Sequence, residues 1–290
     1  MSRLLLAALL LWGSALQAQS APEASGEEAA LQVWRQQFAQ EVERRLELPV
    51  QAQQAYMALL QQALSAAGVT DSSPQAYVLV DRSAQVQAAF VLVRTSDAAL
   101  HWLGASPVST GKPGSYNHFV TPLGVFAHSL DNPDFRAQGT FNENHIRGYG
   151  LRGMRVFDFG WQDALRGWGK GGISPMRLQM HATDPNRLEG RLGTVQSEGC
   201  VRIPASLNRF LDLHGVLDRD YEAALAAGDK LWVVRPGRPL LPWLGRYLVV
   251  IDSQAPQRPE WSTQQSALRA LTAAAHPRHR PASAAPRLPC

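Results

Sequence analysis

The sequence predicts a mostly β domain with an N-terminal α-helical extension and short helices directly after Cys200. From Ala76 onward the chain breaks into short β-branched runs punctuated by Gly, Pro, Asn and Ser, the texture of strands joined by turns. Residues 27 to 66 are instead rich in Ala, Gln, Glu and Leu, with Leu31, Trp34, Phe38 and Val42 at helical spacing. Helical pattern returns only in SLNRFLDLHG and DYEAALAAG, both beyond Cys200.

The elements follow in order. Arg3, an apolar run from Leu4 to Leu11 and small residues around Ala15 and Ala18 give residues 1 to 18 the layout of a cleavable secretory signal peptide. That run is shorter than the ~20 apolar residues that span a bilayer, and no later segment approaches such a length. The expectation is an exported protein of the periplasm or cell envelope with no stable membrane insertion. Residues 19 to 75 are the helical extension, interrupted near Pro49. A stripe at this period is read first as a brace on the main domain and second as a docking element. Residues 76 to 235 are the β-rich domain, with strands expected at AYVLVD, AAFVLVR, ALHWLGAS, TPLGVFAH, RVFDFGW, MRLQMHA and DKLWVVR. PWLGRYLVVID, within residues 236 to 252, is expected to add a strand at the domain edge. Residues 253 to 290, dominated by Pro, Ala, Gln, Ser and Arg, lack the apolar periodicity to offset ordering entropy and are expected to be disordered.

Composition bounds the chemistry. The 290 residues are 45% hydrophobic and 18% charged, ordinary globular usage for one sizeable domain with smaller attachments. A net charge of +4, from 28 basic and 24 acidic residues, is too small and too dispersed for nucleic-acid binding. His101, His118, His128, His145 and His214 are scattered, without the close pairs or Cys partners of a zinc site, so neither a metal nor another cofactor is expected. Only Cys200 and Cys290 are present. A bridge between them would close a very long loop onto a polar terminus, so a reactive Cys200 is the better reading of a mid-domain thiol in an exported chain.

The stretch that carries chemistry is HATDPNRLEGRLGTVQSEGCVR, from His181 to Arg202. A free thiol titrates near pKa 8.5, so a working Cys nucleophile needs a base or cation close by, and His181 is the nearest upstream candidate. His181 is expected at the end of a strand and Cys200 where a glycine loop enters a helical segment. Gly199 permits a sharp turn and close approach of a carbonyl. Backbone N–H groups near Gly199 and Cys200, freed at a helix start, would then face an oxyanion.

These residues resemble the L,D-transpeptidase family with the YkuD-type catalytic domain. His181 followed by Ser197, Glu198, Gly199, Cys200, Val201 and Arg202 is similar to the family's strand-borne His and Ser/Thr-x-Gly-Cys motif with its aliphatic-Arg continuation. Upstream, STGKPGSYNHFVTPLGVF is similar to the family's Ser-Thr-Gly-Lys turn and Thr-Pro-x-Gly entry. The resemblance covers about residues 76 to 235. It implies Cys200 as the acylated nucleophile, His181 as general base and acid, and Gly199 in the oxyanion loop. Ser197 stays open between bonding the loop backbone and bonding substrate. Arg202 stays open between holding a stem-peptide carboxylate and pairing with an acidic neighbour, and Lys112 between turn and substrate contact.

Glu198 stands where many members carry a second His. A carboxylate pointing at the nucleophile would oppose thiolate formation, so Glu198 is expected to face solvent or Arg202. Ala182 replaces the Gly or Ser often found after the His, a tolerable change if the second ring nitrogen needs only a backbone carbonyl. The implied reaction is acyl transfer from a tetrapeptide stem of peptidoglycan, with loss of D-alanine, to an amine on another stem or on a wall-anchored protein. Residues 148 to 172 are expected to form a lid over the peptide groove. A hydrolase using the same thiol, and a catalytically idle wall-binding module, are the rival readings.

Overall fold

The computed structural model describes residues 21 to 262, with side chains from Gly26 onward; the signal-like segment, Cys290 and residues 263 to 290 lie outside them. The chain is mixed α/β, with two sheets and four helices, about 26% strand and 24% helix. It is thus less dominated by β structure than the sequence suggests. The two helices of the extension, α1 (Ala21–Glu41) and α2 (Val50–Ala66), account for much of the difference.

Sheet one contains β1 (Gln75–Asp81), β2 (Ala88–Arg94), β3 (Leu100–Pro107), β4 (Gly124–Ala127) and β9 (Tyr247–Ile251), in the order β3-β2-β1-β9-β4. Its central strands are apolar throughout because both faces are covered. Ala76, Val78 and Val80 of β1 face the main core with Phe38 of α1, whereas Tyr77 and Leu79 face a second core with Leu60 of α2. The extension is therefore a brace: α1 lies against β3, where the Phe38 ring occupies the space that any side chain at Gly104 would fill.

Sheet two contains β5 (Phe135–Arg136), β6 (Arg155–Leu165), β7 (Ile173–Ala182) and β8 (Val201–Ile203), in that order. It packs through Phe157, Leu178, Met180, Val201 and Ile203 onto the main core. Two helices follow β8, α3 (Ala205–Leu213) and α4 (Arg219–Ala226), at the positions expected. Against them lies a buried ion network. Arg155 Nε lies 2.5 Å from Asp134 and its Nη1 lies 2.7 Å from Asp218. Arg238 also reaches Asp218, at 2.6 Å, and Arg136 pairs with Asp212.

Three expectations are corrected here. Residues 242 to 252 do not make an edge: β9 lies between β1, to which it runs parallel, and β4. The uninterrupted apolar run in β9 is itself the mark of a strand with neighbours on both sides and cover on both faces. DKLWVVR is a turn-rich loop, not a strand. Val233 is buried there, but its carbonyl accepts from Arg136, the Val234 N–H bonds back to Leu231, and Trp232 is exposed. β-propensity has no strand edge to pair with at that point. Finally, residues 253 to 262 are ordered. Trp261 packs on the rings of Tyr56 and Phe90 at 5.9 and 6.1 Å, and Arg258 donates to the carbonyl of Gly193. Among the described residues no helix is long and apolar enough to cross a membrane.

Candidate active site

Side chains alternate along a strand, so β7 sends Leu178 and Met180 into the core and presents Arg177, Gln179 and His181 on its other face. β8 runs parallel to β7 and pairs Arg202 with His181, which puts Arg202, and Cys200 two residues before it, on that same face. Asp158 of β6 stands opposite Gln179 and joins them. Cys200 therefore leads into a strand, not into a helix as expected. Val201, Arg202 and Ile203 add to the edge of β7, and Pro204 disfavours helical backbone at the residue before it.

Three segments far apart in sequence hold the Cys200 loop. Ser109 and Arg202 exchange both backbone hydrogen bonds, at 2.8 and 2.9 Å. The Lys112 N–H donates to Ser197 O and the Phe119 N–H donates to Glu198 O. The buried Thr121 hydroxyl donates to Gly199 O at 2.6 Å and accepts from the Gly111 N–H at 2.8 Å. The Ser-Thr-Gly-Lys turn, the Thr-Pro turn and the Ser-Glu-Gly-Cys loop are thus one hydrogen-bonded unit. Lys112 is exposed and serves the unit through its backbone.

Within the loop, Ser197 is fully buried. Its hydroxyl donates to Cys200 O at 2.6 Å and accepts from the Gly199 N–H at 3.1 Å. Ser197 accordingly bonds the loop backbone, and the Gly199 amide, expected to face an oxyanion, is already engaged. Gly199 has φ +132°, and a Cβ there would lie 2.7 Å from Met176 Sδ. Glycine is needed at this position for conformation and for space.

His181 is buried, 4% exposed. Its Nδ1 lies 2.8 Å from Ala182 O, and because a carbonyl only accepts, Nδ1 carries the proton and Nε2 is left as a base. Burial holds its pKa down to about 4, outweighing the Ala182 carbonyl, with the Arg202 cation adding to the depression. Cys200 is half-buried, and its thiol lies 3.7 Å from Arg177 O. Burial pushes this thiol up to about 11, against a hydrogen bond from the Gln179 backbone and the Arg202 charge, which favour the thiolate. At neutral pH the resting pair is therefore a neutral imidazole and a neutral thiol.

Residues not singled out from the sequence complete this face. The Tyr149 ring meets His181 edge-on at 4.7 Å between centroids, and its hydroxyl donates to Gln179 at 3.2 Å. Gln179 and Arg177 each donate to the buried Asp158 carboxylate at 2.8 Å. The two-residue alternation upstream of His181 was the signal for Arg177 and Gln179. Tyr149 comes from an irregular loop inside the stretch expected to cover the groove, and its contact with His181 has no such signal. The middle of the expected lid over residues 148 to 172 is β6 itself, with Val156, Phe157 and Phe159 buried; the flanks before Arg155 and after Leu165 are loops.

Two cavities open among the neighbours of these residues. One, of about 290 Å³, is lined by residues including Ile146, Thr183, Leu192, Glu198 and Arg202. The other, of about 280 Å³, runs between Phe135, Gly139 and Tyr149. Glu198 is exposed, as expected, and Arg202 donates to Gln196 O at 3.2 Å in place of an acidic neighbour. The remaining buried histidines are structural: His128 is held by Asp134 and Leu217 O, and His214 by Glu41 and Pro239 O. No protein-family model matches the chain, and no curated protein matches it.

Proposed function

We propose that this chain is an exported peptidoglycan L,D-transpeptidase whose YkuD-type catalytic domain acts through a Cys200 thioester. One observation carries the reading: the three motifs that resemble that family meet in space, with Thr121 bridging Gly111 to Gly199 beside a His181 whose free nitrogen is a base. A stem peptide places the carbonyl of its third residue over Cys200. Because thiol and imidazole both rest neutral, His181 Nε2 takes the thiol proton as sulfur attacks, so no standing thiolate is required. We assign the Cys200 amide as oxyanion donor, since the Gly199 amide is engaged by Ser197. His181 then gives its proton to the departing amine of D-alanine, and the thioester passes to an amine on another stem or on a wall-anchored protein. The roles assigned here need no metal or organic cofactor.

Transfer in place of hydrolysis requires an acceptor amine held at attack distance, and effective molarities of about 10⁵ M or more for oriented groups exceed the ~55 M of water. The test is to incubate the mature protein with disaccharide tetrapeptide and follow products by mass spectrometry. Cross-linked dimer, or exchange of the terminal D-alanine for an added D-amino acid, is the expected result. Tripeptide alone in the presence of abundant acceptor would make the enzyme a carboxypeptidase, and unchanged turnover by Cys200→Ala would remove the cysteine mechanism altogether.

A further inference from the structure

The cavity of about 290 Å³ lined in part by Glu198 and Arg202 holds two opposite charges that do not close on one another. Arg202 is half-buried on β8 and spends one N–H on Gln196 O, yet it makes no ion pair among the described residues. Arg155 and Arg238, whose side chains are more deeply buried, each have a carboxylate at 2.7 Å or less, whereas the half-buried Arg258, like Arg202, bonds only backbone carbonyls; what sets Arg202 apart is that it lines a cavity. A partly desolvated guanidinium that opens on a cavity without a counterion is suited to receive an anion. Glu198, two residues upstream of the nucleophile, lines the same cavity and is likewise in no ion pair among the described residues.

Two further features fit a ligand of mixed character. Thr183, 1% exposed, also lines the cavity, and its buried hydroxyl has no hydrogen-bond partner among the described residues. Such an orphaned hydroxyl is unfavourable unless something bonds it. Ile146, Leu188 and Leu192 form apolar wall between these polar groups, suited to a short run of methylenes. Arg191 adds a second guanidinium at the exposed rim.

We propose that this cavity is a subsite for an amino-acid head group, with Arg202 taking its carboxylate and Glu198 its ammonium. The inference rests on Cys200 being the acyl-transfer nucleophile, because it assigns the cavity to a participant in that reaction. The head group has two sources: the far end of a diamino-diacid side chain in the donor stem, or a free amino acid acting as acceptor. Glu198, where many proteins with similar motifs carry His, is then the residue that selects for the ammonium group.

Three synthetic tetrapeptide donors that differ only in their third residue separate the roles. One carries meso-diaminopimelate, one lysine, which lacks the carboxylate, and one 2-aminopimelate, which lacks the distal ammonium. If the donor fills the subsite, Arg202→Gln lowers kcat/KM for D-alanine release by about 10–100-fold with the first and third donors and spares lysine. Glu198→Gln lowers it similarly with the first two and spares 2-aminopimelate. If a free amino acid fills it, both variants raise the KM for exchange of added D-amino acid about tenfold or more, and any change in donor kcat/KM is the same for all three donors. Either pattern supports the subsite. No charge selectivity among the three donors together with an unchanged exchange KM would overturn it. Calorimetry of the same peptides on Cys200→Ala isolates binding from chemistry. Charge-selective binding without D-alanine release by the parent would leave the subsite standing and remove the transpeptidase reading, whereas release with neither charge selectivity nor a change in exchange KM would do the reverse.

Discussion

Thr121 is the hinge of the candidate site, and Thr121→Val tests that with almost no change of volume. The substitution keeps the buried shape but removes a hydroxyl that serves two backbone groups, the Gly111 N–H at 2.8 Å and Gly199 O at 2.6 Å. Thr121 is fully buried, so water does not replace it freely. Leaving a buried donor or acceptor unpaired costs about 1–3 kcal/mol each, and the extra lone pair of the carbonyl softens its share, so the expected loss is about 2–4 kcal/mol. Chemistry should suffer as well. Gly199 sits at φ +132° and directly precedes Cys200, the proposed nucleophile, and displacement by about 1 Å costs on the order of 100-fold in rate. Urea unfolding gives the first quantity, from a midpoint shift at constant slope, and D-alanine release gives the second. Thr121→Ser, which retains the hydroxyl, is the control and should lie close to the parent in both. If Thr121→Val and Thr121→Ser are indistinguishable in stability and in turnover, the bridge does not organise the loop and the account of the site is wrong.

The other expectations concern titration and packing. Burial depresses His181 to about 4, so its contribution to stability is present above the unfolded pKa near 6.5 and is lost as pH falls from there through about 4. His128 runs the other way. Burial opposes its charge, but the Asp134 carboxylate at 2.8 Å, with Asp218 adding, raises its pKa, so its stabilisation is present below 6.5 and is lost as pH rises through the elevated value. Melting temperatures measured across pH should lose their acid-side fall in His181→Gln and their neutral-to-alkaline fall in His128→Gln; unchanged slopes would contradict these assignments. Arg155→Met leaves Asp134 and Asp218 without a principal counterion and should cost about 3–5 kcal/mol by denaturant titration, with a near-neutral result refuting the pairing. Trp261→Ala should cost about 2 kcal/mol through lost contact with Tyr56 and Phe90, and no change in the unfolding midpoint would show that this segment does not brace the sheet.

Much of the architecture is legible because it follows from local pattern. AYVLVD and AAFVLVR read as strands from their β-branched runs, and Leu31, Phe38 and Val42 read as the inner face of a helix from their spacing. What local pattern does not carry is which elements become neighbours. The run YLVVI is recognisable as a strand, but its place between β1 and β4 depends on the chain returning to sheet one from α4. VRI reads as the lead into a helix until β7 offers it a parallel edge. At the site, His181 and Cys200 are conspicuous as a strand-borne base and a glycine-flanked thiol. Tyr149 is legible only as part of the stretch expected over the groove, because its approach to His181 is set by a loop without periodicity. The sequence leaves Ser197 open between backbone and substrate for a related reason: its hydroxyl is consumed by a loop only four residues long, a geometry that no spacing rule describes.

The central claim is that Cys200 carries an acyl group, and intact-protein mass spectrometry tests it most directly. The mature protein is mixed with disaccharide tetrapeptide, quenched in acid within seconds and weighed. The expected result is a protein mass increased by the donor less D-alanine, discharged by hydroxylamine, mapped by peptide digestion to Cys200, and lost in Cys200→Ala. D-alanine released at the parent rate by Cys200→Ala, or an adduct that maps to another residue, would contradict it.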